Sequence, residues 1–125
     1  MVYKKFEDLP IWQNSRDFVN LIYGAINRSE KLKRDFSLSD QLKRASYSIM
    51  LNIAEGFERG TNKDFSHFIC IAKGSSGEVR SLLYILLDNN YIEKNQFDHL
   101  FCEIEKISAQ LSNFRKFLLR NPQKR

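Results

Sequence analysis

Apolar residues recur at three- and four-residue steps along four stretches of the chain, and polar side chains interrupt one of these stripes at the same period. The first stretch, residues 8–29, carries Leu9, Trp12, Val19, Ile22 and Ile26, widened by Phe18, Leu21 and Ala25. Pro10 fits only a first helical turn, which places the start near Asp8. Residues 30–38 are charged and aperiodic and read as a loop, after which Ser37 or Ser39 is expected to cap a second helix running to Phe57. Gly60 marks a short turn. A third helix, capped by Asn62 and reaching Asn90, carries Phe65, Phe68, Ala72, Ser75, Val79, Leu82 and Leu86. Tyr91 to Lys94 turn the chain again. A fourth helix, capped by Asn95, carries Phe97, Leu100, Ile104, Ile107, Leu111, Phe114 and Leu118, and Asn121-Pro122 stops it. No useful length shows the period-two alternation of a strand. Short connections make the last three helices antiparallel neighbours, so the expected fold is all-α: one domain over residues 1–125, an antiparallel up-down-up-down four-helix bundle with a short basic C-terminal tail at residues 119–125.

The interrupted stripe lies in residues 41–60. Leu42, Ala45, Ile49, Asn52, Ile53 and Gly56 define one face, and Gln41, Arg44, Ser48 and Glu55 flank it. Buried polar groups cost free energy unless each finds a partner, so the pattern predicts a polar network between helices. If the second and third helices fold back about Gly60, facing residues have numbers summing to roughly 120. Arg44 then faces Glu78, and Ala45 and Ser48 face Ser75 and Gly74. The expectation is a partly buried Arg44–Glu78 ion pair, Asn52 hydrogen-bonded within the seam, and a supporting Glu55–Arg59 pair at i,i+4 spacing. Gly74-Ser75-Ser76-Gly77 is expected to remain helical as a close-packing site, although each mid-helix glycine costs roughly 1 kcal/mol against alanine.

The third helix is also apolar beyond one stripe. Residues 68–72 and 82–87 are consecutive apolar runs, which cover the circumference of a helix and predict an outer face buried by another subunit.

Charge is unevenly placed. Of 20 basic and 15 acidic residues, the last eleven positions hold Arg115, Lys116, Arg120, Lys124 and Arg125 with no acid, so residues 1–114 sum to zero and the +5 net charge lies in the tail. A smaller cluster, Arg28, Lys31, Lys33 and Arg34, is diluted by Glu30 and Asp35. Clustered cations without interleaved aromatics suit phosphate contacts rather than base readout, and they equally suit a solvated helix C-terminus. The apolar runs are too short for a membrane span, and the N-terminus lacks a signal-peptide core. Cys70 and Cys102 form no disulfide framework or ligand cluster, which suits reduced thiols in a cytoplasmic protein.

Catalytic signatures are lacking. A di-metal bundle needs two Glu-x-x-His motifs, whereas Asp64 precedes His67 and Gln96 precedes His99 at that spacing. No nucleophile elbow or nucleotide fingerprint is present, and no phosphate-cradling loop, so neither a cofactor nor an enzyme activity is expected.

The residues Phe6, Leu9 and Trp12, then Gln41-Leu42-x-Arg44-Ala45-x-x-Ser48-Ile49-x-x-Asn52-Ile53-Ala54-Glu55-Gly56, then Arg59, resemble the family of four helix bundle proteins. These are also called intervening-sequence proteins of bacterial large-subunit ribosomal RNA genes. The likeness continues through Phe65, Phe68, Ile71-Ala72-x-Gly74-Ser75 and Glu78 and spans residues 6–118. Met50 stands where the family often has proline and Ser46 where alanine is common, which implies a straighter second helix. A similar protein is the accessory variability determinant of diversity-generating retroelements, a pentameric bundle that works with a reverse transcriptase and binds nucleic acid. The resemblance implies a cytoplasmic homopentamer marked at Arg44, Asn52, Glu55, Gly56, Arg59, Ser75 and Glu78, with no catalytic role assigned to them. Two functions follow as expectations: a non-catalytic oligomeric scaffold contacting RNA or DNA phosphates, or an adaptor that recruits a partner enzyme without touching nucleic acid.

Overall fold

The computed structural model describes residues 3–123 of the chain, so Lys124 and Arg125 of the basic tail lie outside the described residues. A 3-10 turn, Phe6–Asp8, leads into α1 (Pro10–Arg28), α2 (Glu30–Arg34), α3 (Phe36–Phe57), α4 (Asn62–Asp88) and α5 (Lys94–Arg120). The described residues contain no strand. α3 packs most extensively on α4, α4 on α5, then α1 on α3, and α1 on α5 most thinly. That cyclic order is the antiparallel up-down-up-down four-helix bundle that the periodicity predicts.

The stripes meet in a dry core. Ile22, Leu42, Ile49, Ile53, Phe65, Ile69, Ala72, Val79, Leu83, Leu86, Ile104 and Leu111 are completely inaccessible to solvent. At roughly 1.5–3 kcal/mol for each large apolar side chain, their burial dominates the stability of the fold.

Helix ends depart from the sequence reading. Residues 30–38 are not a loop. Ser29 caps the short α2 by accepting from Leu32 N, and Asp35 caps α3 by accepting from Leu38 N, in place of Ser37 or Ser39. Ser39 is instead buried, donating its hydroxyl to Leu32 O at 2.6 Å. Thr61 rather than Asn62 caps α4, since its hydroxyl reaches Asp64 N. Glu93 rather than Asn95 caps α5, and Gln96 Oε1 reaches back to Glu93 N at 3.0 Å. Each cap sits one or two residues before the predicted one or opens an unexpected helix. Several cap-forming residues adjoin at each start, and periodicity does not rank them. Gly60 turns α3 into α4 at φ 98°, a left-handed conformation that a glycine adopts without strain.

Gly74 and Gly77 lie within α4 as expected, but they are not a close-packing site inside the bundle. A Cβ on either would meet nothing within 4 Å. The close approach occurs at Gly56, where a Cβ would sit 2.7 Å from Phe65 Cδ1 and 2.8 Å from Phe68 Cβ. α4 also presents apolar groups outward: Ile71, Tyr84 and Ile85 are each more than two-fifths exposed, and Leu51 on neighbouring α3 is 55% exposed. No helix among the described residues is long and apolar enough to cross a membrane.

Candidate functional site

The polar positions of α3 and α4 form a line along the outer edge of their seam. The fold-back about Gly60 brings Ser48 and Ser75 together, Ser75 Oγ donating to Ser48 Oγ at 3.1 Å. Asn52 Nδ2 donates to Ser48 O at 2.8 Å and Ser48 Oγ at 3.1 Å, both within α3, and it is the Ser48 hydroxyl that links this amide to Ser75 on α4. One turn on, Arg59 donates through Nε and Nη2 to Glu55 Oε2 at 3.3 and 3.0 Å, and its guanidinium lies 4.7 Å from the Phe68 ring centre. Sequence spacing predicts the ion pair but not this stacking of a cation on an aromatic face, since Phe68 belongs to the next helix.

The expected Arg44–Glu78 ion pair is not formed. Arg44 Nε donates to Asp40 Oδ2 at 2.8 Å, and both side chains are more than three-fifths exposed. Glu78 instead receives Gln41 Nε2 at 3.5 Å, and Glu78 itself is exposed. Asp40 and Arg44 are four apart on one helix, so their pair forms without spanning the seam. An exposed pair of this kind is worth about 0–1 kcal/mol. Arg44, Glu78, Tyr47, Leu51 and Asn52 nevertheless border one shallow groove of about 430 Å³. Its lining carries one guanidinium, one carboxylate, amides, hydroxyls and one exposed leucine.

No group of three or more His, Cys, Asp or Glu side chains among the described residues is placed to hold a metal ion. Cys70 and Cys102 are free and exposed. Among the described residues Tyr91 is the one titratable group with a clear shift. Its hydroxyl donates to Asp35 Oδ2 at 2.9 Å, and that bond raises its pKa, with burial and the carboxylate charge adding to the effect. The tie joins the α2–α3 junction to the α4–α5 turn at the end of the bundle opposite the basic tail.

At the other end, Arg115, Lys116 and Arg120 are all exposed on the last turns of α5, and none of the ion pairs among the described residues involves them. The chain beyond α5 is pinned back. Asn62 N donates to Gln123 O at 3.2 Å and Lys63 N to Pro122 O at 3.0 Å. Together with Thr61, these carbonyls satisfy the N–H groups that open α4. Sequence reading treats residues 119–125 as an appended tail, whereas residues 121–123 cap a neighbouring helix. Only the proline hints at that, by ending α5 beside the α4 start.

The fold has solved counterparts. A crystal structure of a protein of unknown function from the S23 ribosomal protein family of Bacteroides thetaiotaomicron VPI-5482 superposes with a TM-score of 0.74 at 24% identity, covering 85% of this chain and 98% of that one. At that identity the likeness speaks for the fold alone. Among curated proteins none matches the chain. A family model described as 23S rRNA-intervening sequence protein matches residues 7–113, which include the whole α3–α4 seam. The chain belongs to the 23S rRNA-intervening sequence protein family.

Proposed function

We propose that the chain is a non-catalytic cytoplasmic scaffold that assembles into a homo-oligomer and contacts RNA or DNA phosphates through its basic end. The observation that carries this reading is the exposed, unpaired set Arg115, Lys116 and Arg120. Cations left without carboxylate partners are free to neutralise phosphates and release counterions. Association is supported by Leu51, Ile71 and Ile85, apolar side chains that the bundle leaves in water along α3 and α4. Five copies, the number implied by the family resemblance, would multiply weak phosphate contacts through effective concentration.

The test is binding of nuclease-treated protein to labelled RNA and DNA across a salt series, with Arg115, Lys116 and Arg120 changed to glutamine. Deleting residues 119–125 would also remove the carbonyls that cap α4, so charge substitution separates binding from folding. Affinity falling steeply with salt and lost in the triple variant supports the phosphate reading. An adaptor reading is favoured by one observation, the exposed Tyr84 packed on Phe97 and Phe101 beside Ile85. Partner capture that is insensitive to salt and to the triple variant, but lost in Tyr84→Ala, would favour it.

A further inference from the structure

A second feature of the basic end is an apolar groove of about 360 Å³ between the start of α1 and the last turns of α5. Tyr3, Leu9, Pro10, Gln110, Asn113 and Phe117 are among the residues that line it. Tyr3 is 39% exposed although it is a large aromatic side chain. Phe117 is half-buried and packs on Phe114. Its ring lies nearly parallel to Phe114, 12° apart with centres 6.1 Å apart, and Phe114 is locked edge-on against the core residue Phe65.

The surroundings of the groove are cationic. Lys4 and Lys5 follow Tyr3, Lys116 precedes Phe117, and Arg120 lies one turn further along α5; all four are exposed. They outnumber the acids of the adjoining turn, Glu7 and Asp8. Aromatic side chains lining a groove, with exposed cations next to them in the chain or one turn along α5, match a base and its adjoining phosphates, because every nucleotide has a face to stack and a charged backbone. Paired bases have both faces already stacked in the duplex, so the occupant is single-stranded. The Asn113 amide, the Gln110 Nε2 and the Tyr3 hydroxyl border the groove and can hydrogen-bond a ribose 2′-hydroxyl, a contact that deoxyribose does not offer.

We propose that the groove between Tyr3 and Phe117 takes one unpaired base of a single-stranded RNA, with the adjoining phosphates on Lys4, Lys5, Lys116 and Arg120. This deepens the phosphate-binding reading and rests on it. It assigns base stacking to a surface that the clustering of basic residues in sequence does not reveal.

The experiment uses the full chain and three probes of one sequence: a short single-stranded oligoribonucleotide carrying 2-aminopurine, its duplex, and the corresponding single-stranded deoxyribonucleotide. The wild-type protein is expected to prefer the single RNA strand and to change the 2-aminopurine emission on binding. Tyr3→Ala and Phe117→Leu are each expected to weaken single-strand binding by about tenfold, within the range for losing one stacked base, while duplex binding stays unchanged. Tyr3→Ala removes an exposed side chain and Phe117→Leu keeps an apolar one, and unchanged circular-dichroism melting shows that both fold. Salt-dependent binding that ignores both substitutions overturns the groove assignment and leaves the phosphate reading standing. Equal affinity for the deoxyribose strand overturns the assignment to RNA. No binding to any strand overturns both readings.

Discussion

The α3–α4 seam and the α1–α5 seam are built from the same kinds of side chain and close to different degrees. Along α3–α4, Ile49, Ile53, Phe65, Ile69 and Val79 are fully buried, Gly56 lets the helices touch, and Ser48 and Ser75 bond across the outer edge. Along α1–α5 the contact is the thinnest of the four. One hydrogen bond, Asn14 Nδ2 to Gln110 Oε1 at 3.1 Å, crosses it between two grooves of about 230 and 360 Å³. The first pair is joined by a short turn at Gly60, so its register is set locally. The second joins opposite ends of the sequence, so no short turn sets its register, and packing with that one hydrogen bond closes it. The α3–α4 seam is closely packed inside and carries a shallow polar groove of about 430 Å³ on its outer edge, whereas the thinner α1–α5 seam carries at its basic end a groove lined mainly by apolar side chains.

The largest effect is expected where the buried interior of the α3–α4 seam is emptied. Ile53→Ala should cost about 2–5 kcal/mol in chemical denaturation, whereas Leu21→Ala, half-buried on the α1 flank, should cost clearly less. Equal losses would erase the distinction between the seams. Glycine substitutions sharpen it by sign. Gly56→Ala should destabilise by about 1–3 kcal/mol, because Phe65 and the Phe68 Cβ cannot both give way. Gly74→Ala and Gly77→Ala should each raise stability by about 1 kcal/mol, since a methyl group there meets open space within the protomer. If Gly74→Ala lowers the oligomer mass measured by light scattering, a second copy approaches α4 at that point.

Smaller effects concern the polar groups. Asn52→Ala should cost about 1 kcal/mol through its lost bonds to Ser48. Arg44→Ala should cost no more than about 1 kcal/mol because its pair with Asp40 is exposed. A loss of several kcal/mol at Arg44 would mean that assembly buries it. The smallest effect is a pH dependence at the opposite end. Tyr91 is raised in the folded state, so its contribution is fully present below the ordinary tyrosine pKa near 10 and is lost as pH rises through the raised value. Melting of the wild-type protein should therefore fall towards that of Tyr91→Phe only in strong alkali.

Much of this architecture is legible in the sequence because helix period and turn position are local. The four stripes follow from helical period, the stop at Asn121-Pro122 from the proline, the Glu55–Arg59 pair from i,i+4 spacing, and the meeting of Ser48 with Ser75 from the fold-back about Gly60. The Arg44 partner does not follow, because two carboxylates compete for it and the i+4 neighbour Asp40 forms its pair without bridging helices. Gly74 and Gly77 misled for a related reason: composition shows a missing side chain but not which face of the helix it leaves open. Tyr3 joins the α5 groove through contacts more than a hundred positions apart, which no periodicity encodes. The basic end was visible as charge, but its folding back onto α4 was not.

The most direct measurement is the affinity for RNA and for DNA as a function of salt, for the wild-type protein and for the variant with Arg115, Lys116 and Arg120 changed to glutamine. The account predicts a linear fall of log affinity with log salt, with a slope of about −0.7 to −0.9 for each phosphate neutralised, and a clearly shallower slope in the variant. An affinity that ignores salt, or a slope that the variant leaves unchanged, would contradict it.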